Sequence, residues 1–209
     1  MSTRRSLGLA TLAVAALVLG LMLSRHYRNA PATQAEIGGY VLDEPRALPP
    51  FELIDGEGKP FRSTDFEGHW SFVYFGYTYC PDVCPLSMVE LANLKELLAA
   101  RDDVPDVQYF LVSVDPARDT PERIGEYVQY FDPSFHGLTG ELDEIDKFAK
   151  AAAVVYVIPD APDGESYLVG HSSSMTLIDP QGRIYAIFTP PQKAAGLAQD
   201  FAAIVAGYR

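Results

Sequence analysis

The sequence is short of basic and of reactive side chains. Its 209 residues include one tryptophan, two cysteines and four histidines, and 16 Lys and Arg stand against 28 Asp and Glu. Four arginines lie within residues 1–30, so residues 31–209 carry 12 basic and 28 acidic side chains, a net charge of −16. An acidic surface repels phosphate backbones, and we therefore expect no nucleic-acid partner.

Cysteine is scarce enough to limit the kinds of site that the chain can build. Beside Cys80 and Cys84 there is no third thiol for a structural zinc site, which normally has four protein ligands, so Asp82 would have to complete one. No cysteine lies near residue 24, which excludes a lipid anchor at that point.

Proline is absent between Pro162 and Pro180. A thioredoxin-type oxidoreductase has a proline in the loop that faces its disulfide, whereas this loop reads GHSSSM. Thiol exchange of that type also prefers two residues between its cysteines, and three intervene here. Ordinary thioredoxin chemistry is therefore disfavoured.

One long uncharged run, Leu7–Leu23, spans 17 residues between flanking arginines. As a helix it would be about 25 Å long, near the lower limit for crossing a bilayer. We expect residues 1–30 to be a single-pass membrane anchor that contacts lipid through residues 7–23, in a bacterial envelope protein. A cleaved signal peptide is the alternative.

The rest of the chain is organised as a linker and one domain. Residues 24–48 are polar and irregular in pattern, so we expect residues 31–48 to be a linker and residues 49–209 a single globular domain. Apolar periodicity and turn residues predict the elements of that domain. They are a hairpin at Phe51–Ile54 and Pro60–Arg62, strands at Trp70–Tyr77, Val107–Val114 and Ala153–Ile158, helices at Pro85–Ala100, Pro121–Phe131, Glu141–Ala152 and Gln192–Tyr208, and a hairpin at Met175–Ile178 and Arg183–Phe188.

This order predicts an α/β, thioredoxin-like fold, with a central mixed sheet and helices on both faces. In such sheets the ligand site lies beyond the carboxyl ends of the strands, which is where Cys80 and Cys84 follow the first core strand. Asp115 ends the next strand at the same edge. Two roles are open for its carboxylate: to cap the turn that follows, or to affect the cysteine site.

The run GYTYCPDVCP places two sulfurs about one turn apart at the start of a helix. The helix dipole and free amides favour negative charge there, so the sequence predicts thiolates with lowered pKa values, and Asp82 as a helix cap. Such a pair can hold a disulfide, exchange it, or bind a soft metal. With His171 it would form a three-coordinate set suited to Cu(I), or to Cu(II) if an oxygen ligand is added.

Four segments together resemble the Sco/SenC family of thioredoxin-like, membrane-anchored copper proteins. They are YFGYTYCPDVCP, SVDPARDTPE, FHGLTG and HSSSMTLIDPQGR, in the family's order, and the resemblance covers about residues 48–209. It implies that Cys80, Cys84 and His171 bind copper and that the domain faces the periplasm from the inner membrane. Gly170 departs from the family pattern, which often has an acid before the ligand histidine.

The resemblance implies a copper chaperone for the binuclear copper centre of cytochrome c oxidase, rather than an enzyme. Its partners would be an upstream copper donor and the copper-acceptor subunit of the oxidase. A thiol-disulfide reductant of the acceptor cysteines is the alternative, and a structural disulfide is the third possibility. Asp82 and Asp115 are candidates for residues that surround and orient the copper ligands.

Overall fold

The computed structural model describes residues 38–160 and 167–208, together with Gly20 and Met22. The predicted anchor, residues 1–30, and residues 31–37 of the predicted linker otherwise lie outside the described residues. Within the described part of the chain, no helix is both long and apolar enough to cross a bilayer.

An eight-stranded sheet occupies the centre of the domain, in the order β1-β10-β9-β4-β5-β6-β2-β3. Strands β4, β5 and β6 run parallel, and the other neighbouring pairs run antiparallel, so the sheet is mixed as predicted. The strands are β1 (Tyr40–Ala47), β2 (Glu52–Asp55), β3 (Pro60–Arg62), β4 (Trp70–Gly76), β5 (Val107–Ser113), β6 (His136–Thr139), β9 (Met175–Ile178) and β10 (Arg183–Phe188).

Helices cover both faces of this sheet because its central strand, β4, is apolar on both sides. Trp70 and Phe72 pack against Phe201 on one face, with ring centroids 5.5 and 5.8 Å apart. Phe75 packs against Phe148 on the other face, at 5.0 Å. The helices are α1 (Val83–Ala99), α2 (Pro121–Phe131), α3 (Leu142–Ala151) and α4 (Ala194–Gly207), with a 3-10 turn at Ser63–Phe66.

The helix starts follow local signals that the sequence carries. Thr120 accepts a hydrogen bond from the Arg123 backbone amide at 3.3 Å, and Pro121 takes the first position of α2, as predicted. The predicted hairpins are confirmed as β2–β3 and β9–β10. Helix α1 begins two residues before its predicted start at Pro85.

The structure corrects the prediction of irregular backbone for residues 40–47. They form β1, an edge strand antiparallel to β10, with a register shift between Val41 and Arg46. Its side chains are half-buried or exposed, without alternation. One row of backbone hydrogen bonds is enough to hold an edge strand, so it need not show the apolar pattern of an inner strand.

Two short strands also differ from expectation. β6, to which the sequence assigned no strand, lies between β5 and β2. The strand predicted at Ala153–Ile158 is reduced to β7 (Tyr156–Val157), which pairs with β8 (Gly170–His171) outside the main sheet. Ala153 has a φ of 56°, the left-handed conformation that often follows a helix end, so the chain turns there before β7 can begin.

Candidate metal centre

Cys80 and Cys84 lie just beyond the carboxyl end of β4, as the predicted topology required. The Cys80 amide donates to the Tyr77 carbonyl at 3.2 Å, which closes a turn between the strand and α1. Cys84 is the second residue of α1, and its amide donates to the Cys80 sulfur at 3.5 Å. Both thiols are free and buried. The two sulfurs therefore face one another across the first turn of the helix.

His171 reaches this pair from a distant part of the chain. Strand β9 pairs with β4, and this pairing brings the segment that precedes β9 to the cysteine end of the sheet. The His171 Nε2 atom lies 3.4 Å from the Cys84 sulfur, across 87 residues of sequence. Its Nδ1 atom lies 3.0 Å from the Ser172 carbonyl, which can only accept a hydrogen bond. In the tautomer with the proton on Nδ1, this carbonyl is satisfied and the Nε2 lone pair faces the Cys84 sulfur.

The three candidate ligand atoms, one each from Cys80, Cys84 and His171, all lie within 4.8 Å of one another. Ligands about 2.0 to 2.3 Å from a shared ion would be about 4 Å apart in a trigonal arrangement. The arrangement is thus close to that of a three-coordinate site. Among the described residues, no fourth Cys, His or carboxylate joins this group, so the donor set suits a soft monovalent ion better than structural zinc.

Burial controls the protonation of the two facing ligands. It raises the pKa of the Cys84 thiol well above its ordinary range, since a thiolate would lose its hydration in this fully buried position. It also lowers the pKa of His171, which keeps the ring neutral. The prediction of a lowered thiol pKa is therefore wrong for Cys84, because desolvation outweighs the hydrogen bonds with Tyr77 and Tyr74 that lower the pKa. A metal that binds Cys84 must displace its proton.

Comparison with known proteins identifies the family and the fold of this chain. The family model described as SCO1/SenC matches residues 42–206. The chain belongs to the SCO1/SenC family. It is 41% identical over 135 residues to the SCO2-like protein RP587 of Rickettsia prowazekii, a match that covers 64% of this chain and 65% of that protein.

Two solved Sco structures described as copper-bound have the same fold. Arabidopsis thaliana ScoI is 34% identical, with a TM-score of 0.71, and the match covers 77% of this chain and 98% of that one. Yeast Sco1 is 31% identical, with a TM-score of 0.73, over 79% of this chain and 91% of that one. The predicted thioredoxin-like α/β architecture of the domain is thereby confirmed.

Asp82 lies between the two cysteines of this SCO1/SenC domain, but its side chain is exposed. It occupies the cap position of α1 with φ −139° and ψ −78°, and within the described structure its side chain accepts no capping hydrogen bond. The prediction of a side-chain cap is wrong, because this backbone conformation differs from the extended one that a capping residue adopts. Asp82 is also absent from the group of three ligand atoms.

Asp115 is fully buried at the carboxyl end of β5. Its carboxylate accepts a hydrogen bond from the Tyr167 hydroxyl at 2.7 Å and pairs with the guanidinium of Arg118. The Asp115 carbonyl accepts the amides of Arg118 and Asp119, so the residue also closes the turn after the strand. Asp115 therefore contacts the segment that leads to His171, without joining the ligand group.

Aromatic rings surround His171 on the cysteine side. Tyr74 and Tyr77 meet its ring edge-on, with centroids 6.0 and 5.8 Å away, and both tyrosines are buried. The Tyr74 hydroxyl also lies 4.0 Å from the Cys84 sulfur. Tyr79 is 46% exposed and is the aromatic at the rim of the site. Tyr79 is therefore exposed beside Cys80, whereas Tyr77 is part of the core.

Sequence reasoning missed a buried network that supports the cysteine turn. Asp119, which is fully buried, accepts hydrogen bonds from the Thr78 amide, the Thr78 hydroxyl and the Ser113 hydroxyl at 3.0, 2.6 and 2.7 Å. Arg123 donates to the same Thr78 hydroxyl at 2.7 Å. The signal was present in the charged run PARDTPER directly after a buried strand.

Proposed function

We propose that this member of the SCO1/SenC family is a membrane-tethered copper chaperone that delivers copper to the binuclear copper centre of cytochrome c oxidase during assembly. The family consists of copper-binding proteins for assembly of that oxidase. The observation that carries the proposal is the convergence of Cys80, Cys84 and His171, whose ligand atoms lie within 4.8 Å of one another.

In this proposal the two sulfurs and the His171 Nε2 atom hold Cu(I). Three-coordinate copper has room for an incoming thiolate from the acceptor. Each new bond from copper to an acceptor cysteine can replace one bond from copper to a ligand of this protein. Copper is then transferred without being released as a free ion. The charge and oxidation state of copper are unchanged by this exchange. Cu(II) would bind the same atoms with one added oxygen ligand.

The proposed location is based on the apolar segment near the start of the sequence and on an acceptor that is bound to the membrane. Residues 7–23 would anchor the protein in the bacterial inner membrane, with the domain in the periplasm. An upstream copper donor would load the site, and the copper-acceptor subunit of the oxidase would receive the ion. A tether keeps the domain close to a membrane-bound acceptor, which raises the effective concentration of the two sites.

The alternative function is reduction of the acceptor's cysteines by Cys80 and Cys84. The adjacent free thiols favour it, since they could supply two electrons and form a disulfide. The burial of Cys84 and its raised pKa disfavour it, because thiol exchange requires an accessible thiolate. Removal of His171 separates the two roles, since only copper binding uses the imidazole.

The test is to measure Cu(I) affinity of the reduced full-length chain by competition with a chromophoric chelator. His171→Ala should weaken binding by at least about tenfold while leaving the rate of disulfide exchange unchanged. His69→Ala is a matched control, because His69 is exposed and lies just before β4, at the opposite end of that strand from the cysteines. Unchanged copper affinity in His171→Ala would refute the ligand set. Unchanged copper affinity together with rapid disulfide exchange in the same variant would favour the reductase.

A further inference from the structure

Arg118 joins the segment that carries His171 to the turn that carries Cys80. It lies in the loop after β5, with 19% of its side chain exposed. Its Nε pairs with the buried Asp115 carboxylate, and its Nη1 donates to the Tyr167 carbonyl at 3.1 Å. These contacts tie the loop after β5 to the backbone four residues before His171.

The guanidinium is also surrounded by aromatic rings from both segments. Its central carbon lies 3.5 Å from the centroid of Tyr167, 4.7 Å from Tyr79 and 5.7 Å from Tyr77. Tyr79 directly precedes Cys80, and Tyr77 borders the His171 ring. A guanidinium so placed is attracted to the faces of these rings. Arg118 therefore bridges the histidine segment and the cysteine turn.

Within the described residues, the backbone just before His171 has little regular strand pairing. Its strand, β8, has two residues and pairs with the equally short β7 rather than with the main sheet. The Val169 amide donates to the Tyr77 hydroxyl at 3.2 Å, which is a second link to the cysteine side. Backbone contacts hold the residues beside His171, with the Ser172 amide donating to the Val155 carbonyl at 2.8 Å, and side-chain contacts add to them in fixing the imidazole.

We propose that Arg118 is a positioning residue that clamps the His171 segment against the cysteine turn and so sets copper affinity. This proposal rests on the proposed function, because it takes His171 as a copper ligand. Residues that orient metal ligands typically change affinity by roughly 10- to 100-fold when they are replaced. Arg118 would act in this way without touching the ion.

The direction of the effect distinguishes the clamp from simple electrostatics. Loss of the guanidinium leaves the Asp115 carboxylate unpaired, which adds negative charge near a cation site. Coulomb attraction alone would then make copper bind more tightly. The clamp predicts the opposite, because a displaced imidazole can no longer share the ion with the two sulfurs.

The experiment compares Cu(I) affinity of the reduced full-length chain with and without Arg118→Met, in the wild-type and His171→Ala backgrounds. We expect a loss of roughly 10- to 100-fold in the wild-type background and no further loss in His171→Ala. Arg101→Met is the matched control. Arg101 also pairs with a nearby carboxylate, that of Asp103, but it follows the far end of α1 from the cysteines.

A second variant keeps the test informative if Arg118→Met does not fold. Tyr167→Leu removes the ring that lies nearest the guanidinium and the hydroxyl that donates to Asp115, but it leaves the Arg118–Asp115 ion pair, so it should weaken copper binding in the same background-dependent way. Wild-type or tighter affinity in the folded variants, or an equal loss in both backgrounds, would overturn the clamp. If His171→Ala alone has no effect, the proposed ligand set fails instead, whatever the clamp variants do.

Discussion

Copper binding is expected to strengthen as pH rises, because the Cys84 thiol must lose its proton to become a ligand. The thiol is fully buried, and burial raises its pKa, so it remains protonated in the metal-free protein at neutral pH. His171 adds no proton above pH 6.5, since burial lowers its pKa below that ordinary value. Release of the Cys84 proton therefore sets the smallest pH dependence that is expected for copper affinity.

Release of one proton makes the affinity change about tenfold for each pH unit, which is about 1.4 kcal/mol. Between pH 6.5 and 8.5 the Cu(I) affinity should thus increase by at least about 100-fold. Competition with a chelator of known proton affinity, in the absence of oxygen, measures this slope. His171→Ala should weaken copper binding but keep the slope, whereas Cys84→Ala should reduce the slope.

An affinity that stays constant over these two pH units would show that Cys84 is already ionised. It would favour the expectation drawn from the helix dipole alone, in which the thiolate is the resting form. A slope that persists unchanged in Cys84→Ala would assign the released proton to another group. Either result would refute the argument from burial.

Two further predictions concern the stability of the domain. Phe148→Ala should lower the free energy of unfolding by roughly 3 to 5 kcal/mol in urea denaturation, because the fully buried ring packs on three others; a loss below about 1 kcal/mol would contradict this. Glu90 accepts hydrogen bonds from the Ala194 amide and Lys193 at 2.8 and 2.9 Å, contacts that lower its pKa and cap α4. Glu90→Gln should therefore cost about 1 kcal/mol at pH 7. A lowered pKa stabilises the fold above the ordinary value of 4.5, and this contribution is lost as pH falls through the folded pKa, so the deficit should vanish in acid. An equal deficit at both pH values would exclude the carboxylate as its cause.

The elements that the sequence predicted well are those with strong local patterns. Trp70–Gly76 carries large apolar side chains on both faces, with Ser71 as the polar exception, which requires cover on both faces, and β4 is indeed the buried centre of the sheet. Thr120 and Pro121 mark the start of α2 by chemistry confined to one turn. Tyr40–Ala47 could not be recognised in this way, because an edge strand is stabilised by its backbone partner rather than by a pattern in its own side chains.

The candidate site also combines features that the local sequence predicts with features that depend on tertiary packing. The four-residue spacing of Cys80 and Cys84 after a strand is a local feature, and it predicted two facing sulfurs at a helix start. The protonation state of Cys84 could not be read from that spacing, since it depends on how completely other elements exclude water. Arg118 was part of a recognised segment, but its contact with Tyr167 joins residues 49 positions apart.

By itself, then, the amino-acid order determined which chemical groups are available and which local elements carry them, since propensity, capping and apolar periodicity act within a few residues. The tertiary structure alone decided that the His171 Nε2 atom lies 3.4 Å from the Cys84 sulfur and that Cys84 is fully buried. It also decided that the Arg118 guanidinium links the segment before His171 to the cysteine turn. Distance, dielectric environment and cross-chain contact depend on how all the elements pack together, and no short stretch of sequence contains that information.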